Sequence, residues 1–98
     1  MPTPNPAAMD FLLSRRSRPA RSLDLPVPSR DQLLPILTAA ARVPDHGKLE
    51  PWRFIVLERA ALLRLADAAR TLGQALTLDP DRIAKGTAQF TDAHLVVA

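Results

Sequence analysis

The sequence predicts a mixed helix-and-strand domain, with helices packed on an incomplete sheet. Three observations carry this. Four segments read as helices, three by apolar residues at helical spacing and three by a recognisable N-terminal cap, and "WRFIVLE" (52–58) is an aromatic and β-branched run of strand length. A second such run, in "HLVVA", starts at Leu95 and stops at Ala98. A domain seldom ends as a strand enters its core. The expectation is therefore the front part of a longer domain: residues 1–5 as a disordered lead-in, and 6–98 as the N-terminal part of one domain.

Taken in order, "NPAAMDFLLSRR" offers Asn5 as N-cap and Pro6 at the first helical position. Met9, Leu12 and Leu13 form one apolar face of this short helix, which is expected to end at Arg16. "SRPARSLDLPVPS" cannot continue it. Pro19, Pro26 and Pro28 remove donors and push the preceding residues toward extended geometry, giving a rigid connector. Ser29 and Gln32 then make a capping-box pattern, with Leu33, Ile36, Leu37, Ala40 and Ala41 as the buried face. Pro35 conflicts with that helix, because an interior proline costs about 3 kcal/mol. A kink or a later start is expected.

In "WRFIVLE", Trp52, Phe54 and Val56 share one face and Ile55 and Leu57 the other, which predicts a strand buried on both sides. "AALLRLADAARTLGQAL" has Leu62, Leu65, Ala66, Ala69 and Leu72 at helical spacing and almost no β-branched residue. Asp79-Pro80 starts a further helix, expected to stop near Gly86.

Composition narrows the function classes. Ninety-eight residues suit one small domain. Apolar residues make up 47%, which argues for a globular chain rather than a disordered one. There is no cysteine, hence no disulfide framework, thiolate nucleophile or cysteine-ligated metal. No apolar run approaches the roughly 20 residues that span a bilayer, so a soluble, cytoplasmic protein is expected. The net charge of +3 is concentrated, because Arg15, Arg16, Arg18 and Arg21 fall within seven positions.

With Gly47, Gly73 and Gly86 the only glycines, neither G-x-G-x-x-G nor a G-x-x-x-x-G-K phosphate loop can be written. A phosphate would have to be held by side chains. Arginine suits that, since its planar fork donates bidentate charge-assisted bonds, and "RRS" supplies two forks and a hydroxyl in three residues. Equally, Arg15 and Arg16 could simply complement the dipole of a helix C-terminus. His46 and His94 are the only histidines, and their separation gives no zinc spacing. A Ser-His-Asp set could be drawn from Ser17 or Ser29 with Asp45 and His46, but there is no G-x-S-x-G elbow, and adjacent side chains diverge. Asp45 fits an Asx-type turn before Gly47. Trp52 fits the core.

The ordered set "FLLSRRS", "ILTAAARVPDH" and "EPWRFIVLE" resembles the N-terminal half of the FMN-dependent nitroreductase family, in the branch with Pro-Asp-His at the corner after the second helix. Agreement runs from about Asp10 to Ala98. The resemblance implies an α+β, nitroreductase-like fold, here an N-terminal fragment, binding FMN at the interface of an intertwined homodimer. It implies that Arg15, Arg16 and Ser17 hold the phosphate and ribityl end. Arg42 and His46 match positions reaching the flavin held mainly by the partner subunit, while Arg18 and Arg21 are alternative candidates to face its ring. The implied chemistry is ping-pong hydride transfer from NADH or NADPH, through flavin, to a nitroaromatic, quinone or similar small acceptor. No side chain is required as a catalytic acid, and no metal. In the family's N-x-Q-P-W stretch this chain departs, with Lys48 for the asparagine and Glu50 for the glutamine.

Two other readings stand beside this one. "RRSRPARS" could be a basic arm on nucleic-acid phosphates. Against it, removing those four arginines from the thirteen basic residues leaves nine against ten acidic ones, and one Trp with no Tyr is poor provision for base stacking. The other is a non-catalytic remnant of the fold that serves subunit interaction.

Overall fold

The computed structural model describes residues 1–98. Its elements are α1 (Pro6–Ser14), a 3-10 turn at Ala20–Ser22, α2 (Arg30–Ala40), a second 3-10 turn at His46–Lys48, β1 (Val56–Leu57), α3 (Arg59–Ala75), α4 (Pro80–Thr91) and β2 (Val96–Val97). The two strands pair antiparallel, Val56 with Val97 and Leu57 with Val96. Ile55 and Ala98 extend the ladder by exchanging both backbone bonds, at 2.8 and 2.9 Å.

The helix starts follow the local signals. The Asn5 side chain accepts from Ala8 N–H at 3.1 Å, with Pro6 in the first turn. Ser29 Oγ accepts from Gln32 N–H while Gln32 Oε1 accepts from Ser29 N–H, closing the capping box. Asp79 caps α4 ahead of Pro80. α1 ends at Ser14, with Arg15 as its C-cap, rather than at Arg16. α2 starts at Arg30, directly after its cap, and runs through Pro35, so the expected later start does not occur. Pro35 leaves the Asp31 carbonyl without its usual donor, and Asp31 is exposed, so water can meet that carbonyl.

α3 and α4 form the packed heart of the chain. Leu62 is fully buried and Ala66 is 2% exposed. Gly73 continues that stripe against α4: a Cβ there would lie 2.8 Å from Ile83 Cγ1. α3 ends in a Schellman motif, Leu78 N–H donating to Gly73 O and Thr77 N–H to Gln74 O, each at 3.0 Å. Thr77 holds the left-handed position of that motif, with φ 54°. The Arg59 guanidinium donates to Thr91 O at 2.5 Å and Ala93 O at 2.6 Å, fastening the end of α4 to the start of α3. β2 thereby leaves antiparallel to β1.

Several expectations need correction. α4 runs through Gly86 to Thr91, because Gly86 is helical and is not a left-handed cap. The first strand is confined to Val56–Leu57. Phe54, Ile55 and Val56 are 39–44% exposed rather than buried on two faces, since β2 is the sole strand beside β1 and α3 is the one helix packed against it. Of the predicted α2 face only Leu33 is buried; Leu37 and Ala41 are half-buried, Ile36 and Ala40 exposed. Leu72 of α3 is exposed as well, the helix turning its 62-66-73 stripe toward α4 instead.

Candidate functional site

The arginine motif is positioned by the end of α1. Arg15 N–H closes on Phe11 O at 2.8 Å, but its backbone is already extended at φ −62°, ψ 149°. In an extended segment alternate side chains share a side. Arg15 Nη2 accordingly donates to Ser17 Oγ at 3.0 Å, so one guanidinium and one hydroxyl converge. Arg16 makes no side-chain hydrogen bond or ion pair with either. Asp67 pairs with Arg70, and Asp24 contacts the His94 imidazole, while Arg15, Arg16, Arg18, Arg21 and Arg42 face no carboxylate. All five are exposed. Their charge is left unneutralised by the fold.

Arg42 lies two positions beyond α2, its N–H bonded to Ala39 O at 3.1 Å. The chain then turns through Val43–Asp45 into the turn that His46 opens, and His46 is exposed. Asp45 does not make the short Asx-type bond. Its Oδ2 accepts from Glu50 N–H at 2.8 Å, five residues ahead. Asp45 and His46 therefore form no acid–base pair. The carboxylate–imidazole contact that does exist joins Asp24 in the connector to His94 before β2, Oδ1 to Nε2 at 3.3 Å. No grouping of three or more His, Asp or Glu side chains could hold a metal ion. Trp52, expected in the core, is half-buried.

The structure thus brings Arg15 and Ser17 together, but no hydrogen bond or ion pair links them to Arg42 or His46. The three main clefts, of about 640, 440 and 730 Å³, lie between α3 and α4, beside His94, and between α2 and α3. None is lined by Arg15, Arg16, Ser17, Arg42 or His46. The Asp45–Glu50 bond was missed in the sequence. Its one signal is Gly47, whose φ of 72° reverses the chain; the positive φ of Lys48 (54°) and Glu50 (46°) carries no sequence mark.

An α+β chain that offers unpaired guanidinium groups and a hydroxyl, with no glycine loop, has a donor set suited to a phosphorylated ligand. Comparison with known proteins gives the family. The profile of the Nitroreductase family matches residues 12–92, and the chain belongs to that family. It is 36% identical over 90 residues to a "Putative NAD(P)H nitroreductase" of Haemophilus influenzae, covering 92% of this chain and 48% of that protein. It is 45% identical over 51 residues to "Putative NAD(P)H nitroreductase YdjA" of Escherichia coli K12, covering 52% of this chain and 27% of that protein. The chain thus spans about half the length of the first of these relatives, and less of the second.

Proposed function

We propose that this chain is the flavin-binding front of an FMN-dependent NAD(P)H oxidoreductase of nitroreductase type. The observation that carries this is the convergence of the Arg15 guanidinium on Ser17 Oγ at 3.0 Å, beside Arg16, Arg18 and Arg21, none of which faces a carboxylate. A dianionic phosphate needs fork donors when no glycine loop is present, and uncompensated guanidinium groups bind it without first breaking an internal ion pair. The family match and the names of the relatives agree with a redox role.

In this reading Arg15, Arg16 and Ser17 hold the phosphate and ribityl end of FMN. Arg42 and His46 reach the flavin bound mainly by a second subunit. A homodimer with FMN at its interface is what the resemblance to the family implies for these two groups. FMN when bound supplies the two-electron chemistry, taking hydride from NADH or NADPH and delivering it to a nitroaromatic, quinone or similar acceptor. The protein's side chains bind, orient and balance charge; none is assigned as a proton donor. A cytoplasmic setting fits, with no helix long and apolar enough to cross a membrane.

The test is to purify the protein expressed from its complete reading frame and record its visible spectrum with and without added FMN. A yellow protein that oxidises NAD(P)H when a quinone is supplied is expected. Arg15→Ala with Arg16→Ala should weaken FMN binding by about a hundredfold or more, since each charged hydrogen bond lost costs about 1.5–3 kcal/mol. A colourless protein that takes up no FMN would refute the reading.

A further inference from the structure

The corner between α2 and β1 contains more backbone strain than its one glycine explains. Gly47 stands at φ 72° in open space, since a Cβ there would meet nothing within 4 Å. It is there for its conformation, not for close packing. Lys48 at φ 54° and Glu50 at φ 46° occupy the same left-handed region with full side chains, an uncommon arrangement that persists only when surrounding structure imposes it. Glu50 also precedes Pro51, whose ring further narrows the conformations open to the residue before it. Something must hold this path.

One side chain is in position to do so. Across residues 42–51 every residue is exposed except Asp45, which is half-buried. Its carboxylate takes the Glu50 N–H at 2.8 Å, spanning the whole turn and closing it like a clasp. A charged acceptor on a backbone N–H is among the stronger hydrogen bonds a loop can make. His46 and Lys48 lie inside the clasped segment and point out from it, both exposed and without ion-pair partners.

We propose that Asp45 is a positioning residue: it holds the 46–50 backbone in its path, left-handed at Gly47, Lys48 and Glu50, and so fixes where His46 is presented to a bound ligand. That the ligand is flavin rests on the functional reading above; that the clasp sets the corner does not. Asp45 itself touches no ligand in this scheme. Its side chain is occupied by Glu50 N–H, and its effect passes through the backbone to its neighbour.

Two measurements on the protein from the complete reading frame separate the parts. The first is amide hydrogen exchange at Glu50, which needs no flavin. Asp45→Ala should speed it about tenfold or more, while Asp45→Asn, which keeps a carbonyl acceptor in place, should hold it close to the parent. The second is FMN affinity. Asp45→Ala should weaken it about tenfold, and Asp45→Asn by no more than about threefold, with the thermal midpoint of α3 and α4 unmoved. Adding Glu50→Gly to Asp45→Ala should restore most of the affinity, because glycine enters the left-handed region without the clasp. A purely structural lesion or a direct carboxylate contact would gain nothing from that glycine. The proposal is overturned if Glu50 exchange is the same in Asp45→Ala as in the parent, or if the added glycine rescues nothing. Should the parent bind no FMN, the functional reading falls and the exchange result alone decides the clasp.

Discussion

Gly73 shows how a single position sets the spacing of the chain's main helix pair. The missing Cβ lets Ile83 approach to a distance that a methyl group would reduce to 2.8 Å, below ordinary contact. Gly73→Ala gains up to about 1 kcal/mol in helix propensity but pushes α4 away from α3, an overpacking cost of about 1–3 kcal/mol. A net loss of roughly 1 kcal/mol is expected in chemical denaturation; a gain would mean that Ile83 has room to turn aside. Arg59 acts at the same scale with the opposite sign. It ties two carbonyls that precede β2, so Arg59→Ala should cost about 1–3 kcal/mol and speed exchange of the amides in Val96–Ala98. Neither role is legible in the sequence. The partners of Arg59 lie 32 and 34 residues away, and nothing near Gly73 reports that Ile83 will face it.

At the scale of elements, what could be read locally was read well. The caps at Asn5, Ser29 and Asp79 each depend on residues within one helical turn, and each is made as their spacing indicates. Arg15 and Ser17, two residues apart, likewise meet within one local stretch. Failures arose where a partner or a dihedral angle decides. Gly86 looks like a stop but is helical, whereas the left-handed position that closes α3 after Ala75 falls on Thr77, a β-branched residue at φ 54° that sequence preference would never nominate. The strand in "WRFIVLE" is shorter than its composition suggests, because its length depends on how much of β2 lies opposite. The Schellman turn therefore carries a cost that glycine would remove. Thr77→Gly should raise stability by about 1 kcal/mol, seen as a higher thermal midpoint with the α3–α4 contact intact. No change would place the strain of Thr77 elsewhere in the turn.

For the molecule as a whole the governing fact is how little of it is enclosed. Five of 98 residues are buried, and the radius of gyration is 18.2 Å, against about 13 Å for a compact chain of this length. Met9, Phe11, Leu12 and Leu13 of α1 are 56–77% exposed, and that helix buries none of its residues. A nine-residue helix without packing lies below the roughly 12–15 residues at which isolated helices become even marginal in water. α3 and α4 are different, since they bury Leu62 and Ala66 against each other. Hydrogen exchange on the dilute 98-residue chain should therefore divide it in two. Amides of Leu62–Leu72 and of Ile83–Phe90 should be protected, while those of Met9–Ser14 exchange at nearly the unfolded rate. Raising the concentration distinguishes the reasons α1 might be ordered. If two copies cover one another's apolar helices, protection of Phe11–Leu13 should climb with chain concentration, at a midpoint matching dimer formation by sedimentation. Protection of α1 equal to that of α3 at all concentrations would contradict this division, because it would require α1 to be stable without burying any of its own side chains.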